Sequence, residues 1–126
     1  ANYLDDYEEG SFSPGFDGKT ASGFYVKIGR LCFFNITISF AGTAGEVTGL
    51  PFLSSTYSNY EGFVYQGRSR FVNYRDSNGV PFVALVNLGR VLFRTNAVNS
   101  DDTGASVSTY DSRARYTLHG VYVTDD

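Results

Sequence analysis

A chain of 126 residues, 42% hydrophobic and 18% charged, has the size of one folded domain and is too apolar for a disordered tail. Its formal net charge of −3, from 10 Lys and Arg against 13 Asp and Glu, argues against a nucleic-acid partner, because phosphate backbones are bound by clustered cations. No apolar run approaches the ~20 residues of a spanning helix, so no membrane insertion is expected, and the single cysteine, Cys32, excludes an intrachain disulfide framework.

Ten Tyr and eleven Phe stand against no Trp and no Met. Flat, stiff rings suit pleated sheets and binding surfaces, whereas Met suits adaptable helical cores. A start at Ala1 with no Met anywhere suggests a fragment or processed piece of a longer product.

Residues 1–19 have no clear period and carry Asp5, Asp6, Glu8 and Glu9, with Gly10, Pro14, Gly15 and Gly18 as breakers. They are expected to form an arm that packs on the domain or on an oligomer, through Leu4, Tyr7, Phe12 and Phe16. Residues 20–126 are expected to form the β domain. In Gly23–Gly29 the period is two, as expected of a half-buried strand: Phe24, Val26 and Ile28 face one way and Tyr25 and Lys27 the other.

Gly29–Arg30 predicts a tight connection into the strongest strand, Leu31 to Phe40. There Cys32, Phe34, Ile36, Ile38 and Phe40 form a core face, while Asn35, Thr37 and Ser39 meet water or a partner. A short strand follows at Glu46–Thr48, then a loop at 53–61 carrying Tyr57 and Tyr60. Further strands are predicted at 62–66 and 69–74, with Gly67 and Arg68 between them. Asp76–Ser77–Asn78–Gly79 has the chemistry of a reverse turn. Strands at 81–87 and 90–95 flank Gly89–Arg90, and a patternless polar stretch at 96–109 leads to a last strand at 113–124. In that strand Tyr116, Leu118 and Tyr122 share one side. Seven to nine short strands without a convincing helix predict an all-β fold: a two-layer antiparallel β-sandwich, jelly-roll-like.

Catalytic chemistry is sparse. The single histidine, His119, lies inside the last strand without a nucleophile motif beside it, and a structural or surface imidazole is expected. One His and one Cys do not make a zinc set, Cys32 reads as a buried, inert thiol, and no metal or other cofactor is expected. Glu46, Glu61, Asp76 and Asp111 are the acids available for a glycosidase-type pair, yet acids occur at turns in most domains. The chain is therefore expected not to be an enzyme. The richer signal is aromatic. Tyr57, Tyr60 and Tyr65, with Arg68 and Arg70, crowd the middle of the chain, and Asp76 and Asn78 sit on the adjoining turn. Rings rimmed by hydrogen-bonding groups suit the apolar face and hydroxyl edges of a sugar. The same residues also suit a subunit interface, or plain packing of sheet edges.

In order along the chain, DDYEEGSFSPGF, GFYVKIGRLCFFNITISF, TGLPF at Thr48–Phe52 and the closing YTLHGVYVTDD resemble segments of the C-terminal domains of bacteriophage tail fibres and tailspikes. Phe12 stands where that family more often has Trp, and His119–Gly120 where it has Ser–Gly. The resemblance spans nearly the whole chain. It implies a β-sandwich in a virion fibre or spike, a homotrimer joined to upstream segments of the same chain, and attachment to bacterial surface polysaccharide or lipopolysaccharide. Two other roles are compatible with it: a structural trimerisation domain without a ligand, and a terminal domain accessory to an upstream depolymerase. It carries over no sugar-binding residues.

Overall fold

Runs of aromatic and β-branched residues punctuated by glycine dictate strands rather than helices, and strands are what form. The structure is a computed structural model that describes residues 7–52, 62–73, 82–87, 89–95, 103–104 and 106–124. Its strands are β1 Tyr7–Phe12, β2 Gly15–Phe16, β3 Lys19–Thr20, β4 Ser22–Ile28, β5 Leu31–Ile38, β6 Gly42–Ala44 and β7 Glu46–Val47. They continue with β8 Gly62–Arg70, β9 Val72–Asn73, β10 Phe82–Asn87, β11 Arg90–Thr95, β12 Thr103–Gly104, β13 Val107–Thr109 and β14 Arg115–Val123.

The pairings are antiparallel. Among the described residues a nine-stranded sheet runs β1-β4-β5-β14-β8-β10-β11-β12, with β7 on β11. A three-stranded sheet runs β6-β13-β9, and β2 and β3 form a hairpin. The fold is all-β, and its antiparallel sheets make a sandwich-like arrangement.

The core lies on the inner face of the large sheet. Cys32, Phe34, Ile36 and Ile38 of β5 and Tyr116, Leu118 and Tyr122 of β14 meet Phe16, Val47, Val86, Val91, Phe93 and Val107. At ~1.5–3 kcal/mol per fully buried large apolar side chain, these positions dominate the favourable side of folding. The alternation expected for β5 and β14 is therefore correct, as is the buried Cys32. Burial also raises the Cys32 thiol above its ordinary pKa, which keeps it in the unreactive protonated form.

In β4 the period is as expected, and the inner side is the one that carries Tyr25 and Lys27. Phe24 and Ile28 are 45% and 43% exposed, whereas Lys27 is 8% exposed. Register decides this. Tyr25 lies opposite Phe34 and Lys27 opposite Cys32, and directly opposed residues share a sheet face. Lys27 tolerates the inner side because its stem packs there while Nζ sits 5.3 Å from the centre of the Phe52 ring. Tyr25 reaches the rim, where its hydroxyl donates to Glu8 Oε1 at 2.7 Å.

Three further differences have local causes. Gly10 does not break β1, because the Tyr25 ring covers the space where its side chain would stand. Gly67 does not end β8; the register against β14 instead shifts between Tyr116 and Leu118, and the strand continues to Arg70. The patternless 96–109 stretch contains β12, which pairs with the preceding strand β11, and β13, whose partners β6 and β9 are remote in sequence. Between β4 and β5 the expected tight turn is present, with Gly29 at a φ of 60°.

Candidate ligand cleft

Register also builds the outer face of the large sheet. One row crosses it as Ser11, Phe24, Asn35, His119 and Tyr65, each directly opposite the next. A second row is Glu9, Val26, Phe33 and Val121, and a third is Tyr7, Ile28, Leu31 and Val123. The face is thus graded along its strands, from an apolar end at Tyr7, Ile28 and Leu31 to a polar end at Asn35 and His119. Leu31 and Phe33 are both 44% exposed, and Tyr7 and Tyr65 are 53% and 54% exposed.

At the polar end the surface is concave. A cleft of about 280 Å³ is lined by Phe24, Val26, Phe33, Asn35, Tyr65, His119 and Val121. The Tyr65 ring stacks on the His119 imidazole, with centroids 5.1 Å apart and planes 27° apart. His119 Nδ1 is hydrogen-bonded to Asn35 Oδ1. An amide oxygen only accepts, so the imidazole presents Nδ1–H to it, and Asn35 keeps its NH₂ donors for another acceptor. Gly67 makes the close approach of β8 possible: a Cβ there would stand 2.7 Å from His119 Nε2 and 2.4 Å from Thr117 Oγ1.

Chemically, the cleft offers a ring wall, an apolar floor and a fixed amide–imidazole pair. Such a surface stacks on an apolar ligand face and hydrogen-bonds its polar edge. The imidazole is oriented by an amide rather than a carboxylate, and the thiol of Cys32 lies buried on the other side of the sheet. Of the candidate acids, Glu46 is engaged by Arg90 at 2.9 Å and Asp111 by Arg113 at 3.0 Å. Glu61 and Asp76 lie outside the described residues.

Of the residues singled out in the sequence, the two whose side chains are described, Tyr65 and Arg70, are separated by the fold. Tyr65 forms one wall of the cleft. Arg70 lies five residues further along β8, about 16 Å away at ~3.3 Å per residue, and its guanidinium sits over Phe71 at 5.3 Å. Arg68 belongs to β8, but its side chain falls outside the described residues, as do Tyr57, Tyr60, Asp76 and Asn78 altogether. Sequence reasoning missed Phe24, Phe33 and Val121 as lining residues and gave His119 no ligand role. Asn35 was visible as an outward polar position, and that same alternation places Phe33 beside it.

No protein-family model, no curated protein and no solved structure matches the chain.

Proposed function

We propose that this chain is a noncatalytic distal domain of a bacteriophage tail fibre or tailspike, part of the virion, which binds host cell-surface glycan for attachment. The observation that carries the reading is the cleft. Its stacked Tyr65–His119 pair, apolar floor and Asn35 amide match the two chemical faces of a sugar ring. The ordered sequence motifs support the virion setting. The proposed glycan is bacterial surface polysaccharide or lipopolysaccharide, and the proposed assembly is a homotrimer continuous with upstream fibre or spike segments. A jelly-roll-like path belongs to the same reading; the insertion of β14 between β5 and β8, rather than beside its sequence neighbours, supports it.

The apolar end of the outer face supports a homo-oligomer. Each half-exposed Tyr7, Ile28 or Leu31 leaves on the order of 1 kcal/mol of hydrophobic stabilisation unrealised until something covers it. Copies packed at that end leave the Asn35–His119 end open, and three weak cleft contacts then act together at a cell surface. The same apolar end also favours a second reading, an assembly domain with no ligand of its own.

An array of bacterial surface polysaccharides and lipopolysaccharides, probed with wild type and Tyr65→Ala, separates the two. Attachment requires wild-type binding that Tyr65→Ala loses while its oligomeric state in light scattering is unchanged. Wild type that binds no glycan on the array, yet forms a stable trimer, favours assembly.

A further inference from the structure

Beyond the cleft, at the far end of β8, arginines and aromatic rings form a separate cluster. Phe71 follows the last residue of β8 with a φ of 56°, the left-handed region that a bulky side chain enters only at an energetic cost. Its ring is held on several sides. The Arg113 guanidinium carbon lies 4.9 Å from the ring centre and that of Arg70 5.3 Å, while Tyr110 meets it edge-on at 5.9 Å and 85°. The Phe71 carbonyl accepts from the Tyr110 amide at 3.1 Å.

Arg113 is fixed before any ligand arrives. Its Nε and Nη2 donate to the two carboxylate oxygens of Asp111, each at 3.0 Å, and its backbone N–H donates to Asp111 Oδ1 at 2.8 Å. The side chain nevertheless remains 66% exposed, and Nη1 takes no part in the Asp111 bonds. Arg115 lies directly opposite Arg70 in the β14–β8 register, and both are exposed. Like charges placed opposite each other on a sheet repel, and a bound anion relieves that repulsion. Among the described residues, three arginines against one carboxylate make this corner cationic, in a chain whose formal net charge is −3. Tyr110, 65% exposed, is the most open of the large hydrophobic side chains described.

We infer that the Arg70, Phe71, Tyr110, Arg113 and Arg115 cluster binds a carboxylate-bearing sugar unit, a hexuronate or sialate. The inference rests on the glycan-binding reading and deepens it, by adding a charge-selective contact to that of the cleft. Tyr110 supplies the stacking platform for the sugar ring, and the guanidinium forks supply the geometry that a carboxylate accepts in pairs. The pre-formed Asp111–Arg113 clamp lowers the ordering cost of the contact.

The test uses the intact chain and a panel of short oligogalacturonates and sialylated oligosaccharides, each paired with its carboxyl-reduced form, with an acidic peptide as a further arm. Binding is followed by titration calorimetry and by amide shifts in NMR spectra. The expected result is binding that weakens about tenfold or more on carboxyl reduction, as loss of a charged hydrogen-bonded pair implies. Arg115→Gln and Tyr110→Ala each weaken it similarly, Tyr65→Ala does not, and the shifted amides fall in 70–72 and 110–115. Both cluster variants are surface changes, and unchanged thermal melts check that they fold. Equal binding of reduced and unreduced sugars, loss only in Tyr65→Ala, or no binding across the panel overturns the inference. An acidic peptide bound as tightly as the sugars overturns its saccharide identity. Neutral glycan bound at the cleft in any of these cases leaves the attachment reading intact, so the two failures are distinguishable.

Discussion

The Tyr122 hydroxyl donates to the Phe52 carbonyl at 2.9 Å and accepts from the Phe52 amide at 3.1 Å. One phenol thereby satisfies both backbone groups of a residue 70 positions away in the chain. It pins the segment after β7 to the centre of the core, where Tyr122 also packs edge-on against Phe34. Tyr122→Phe keeps the ring and removes the hydroxyl, leaving a part-buried amide and carbonyl without this partner. The expected loss is about 1–3 kcal/mol, read in urea denaturation as a lower midpoint with an unchanged slope. An unchanged midpoint would show that water replaces the hydroxyl without cost.

The same phenol sets a limit at alkaline pH. Burial, with Cys32 adding to it, raises the Tyr122 pKa well above its ordinary 10.0. Above pH 10 the unfolded chain releases a proton that the folded chain keeps, so stability is fully present below pH 10 and falls progressively as the pH rises beyond it. Urea midpoints measured between pH 8 and 11 should fall over the upper part of that range. The fall should be shallower in Tyr122→Phe; equal slopes for the two proteins would assign it to other groups.

Asp111 gives the opposite sign. Hydrogen bonds from the Arg113 side chain and backbone hold its carboxyl at about 2, below the ordinary 3.8. The clamp on Arg113 is therefore complete above pH 3.8 and is lost as the pH falls through about 2. A carboxyl-carbon NMR titration should find Asp111 as a low outlier, and Arg113→Gln should return it towards 3.8. Titration at the ordinary value in wild type would remove the clamp from solution.

Gly23 lies under the Phe12 ring, where an added Cβ would stand 2.6 Å from two ring carbons. This ring-over-glycine contact holds the edge strand β1 on β4. Gly23→Ala forces the ring aside, and the expected cost is about 1–3 kcal/mol, the usual range for overpacking. Hydrogen exchange should show the β1 amides losing protection first. A variant as stable as wild type, with β1 protected, would mean the ring moves freely.

The apolar end of the outer face predicts self-association. Sedimentation of wild type at micromolar concentration should give a trimer, and Leu31→Ser should shift it towards monomer with little change in the monomer's melting behaviour. A wild type that sediments as a monomer throughout would remove the proposed assembly.

How much of this was legible in advance varies by strand. In β5 and β14 the sequence alone sufficed, because strict alternation over eight and nine residues leaves one face apolar enough to be core. In β4 both faces carry rings or long aliphatic stems, so alternation alone does not say which of them is core. Only pairing with β5 resolves the choice, by setting Tyr25 opposite Phe34 and Lys27 opposite Cys32. The cleft was less visible still. Phe24, Asn35, Tyr65 and His119 come from four strands, and nothing local brings them into one row.

The amino-acid sequence by itself determined that this chain is built of strands, where the tight turns at Gly29 and Gly89 fall, and which side of its strongest strands is buried. Those properties depend on residues within a few positions of one another. The tertiary structure decided which rings stay outside, that Tyr65 and Arg70 lie on different parts of the surface, and that a histidine with no chemical signature lines a cleft. Those outcomes depend on inter-strand register, which contacts far apart in the chain set.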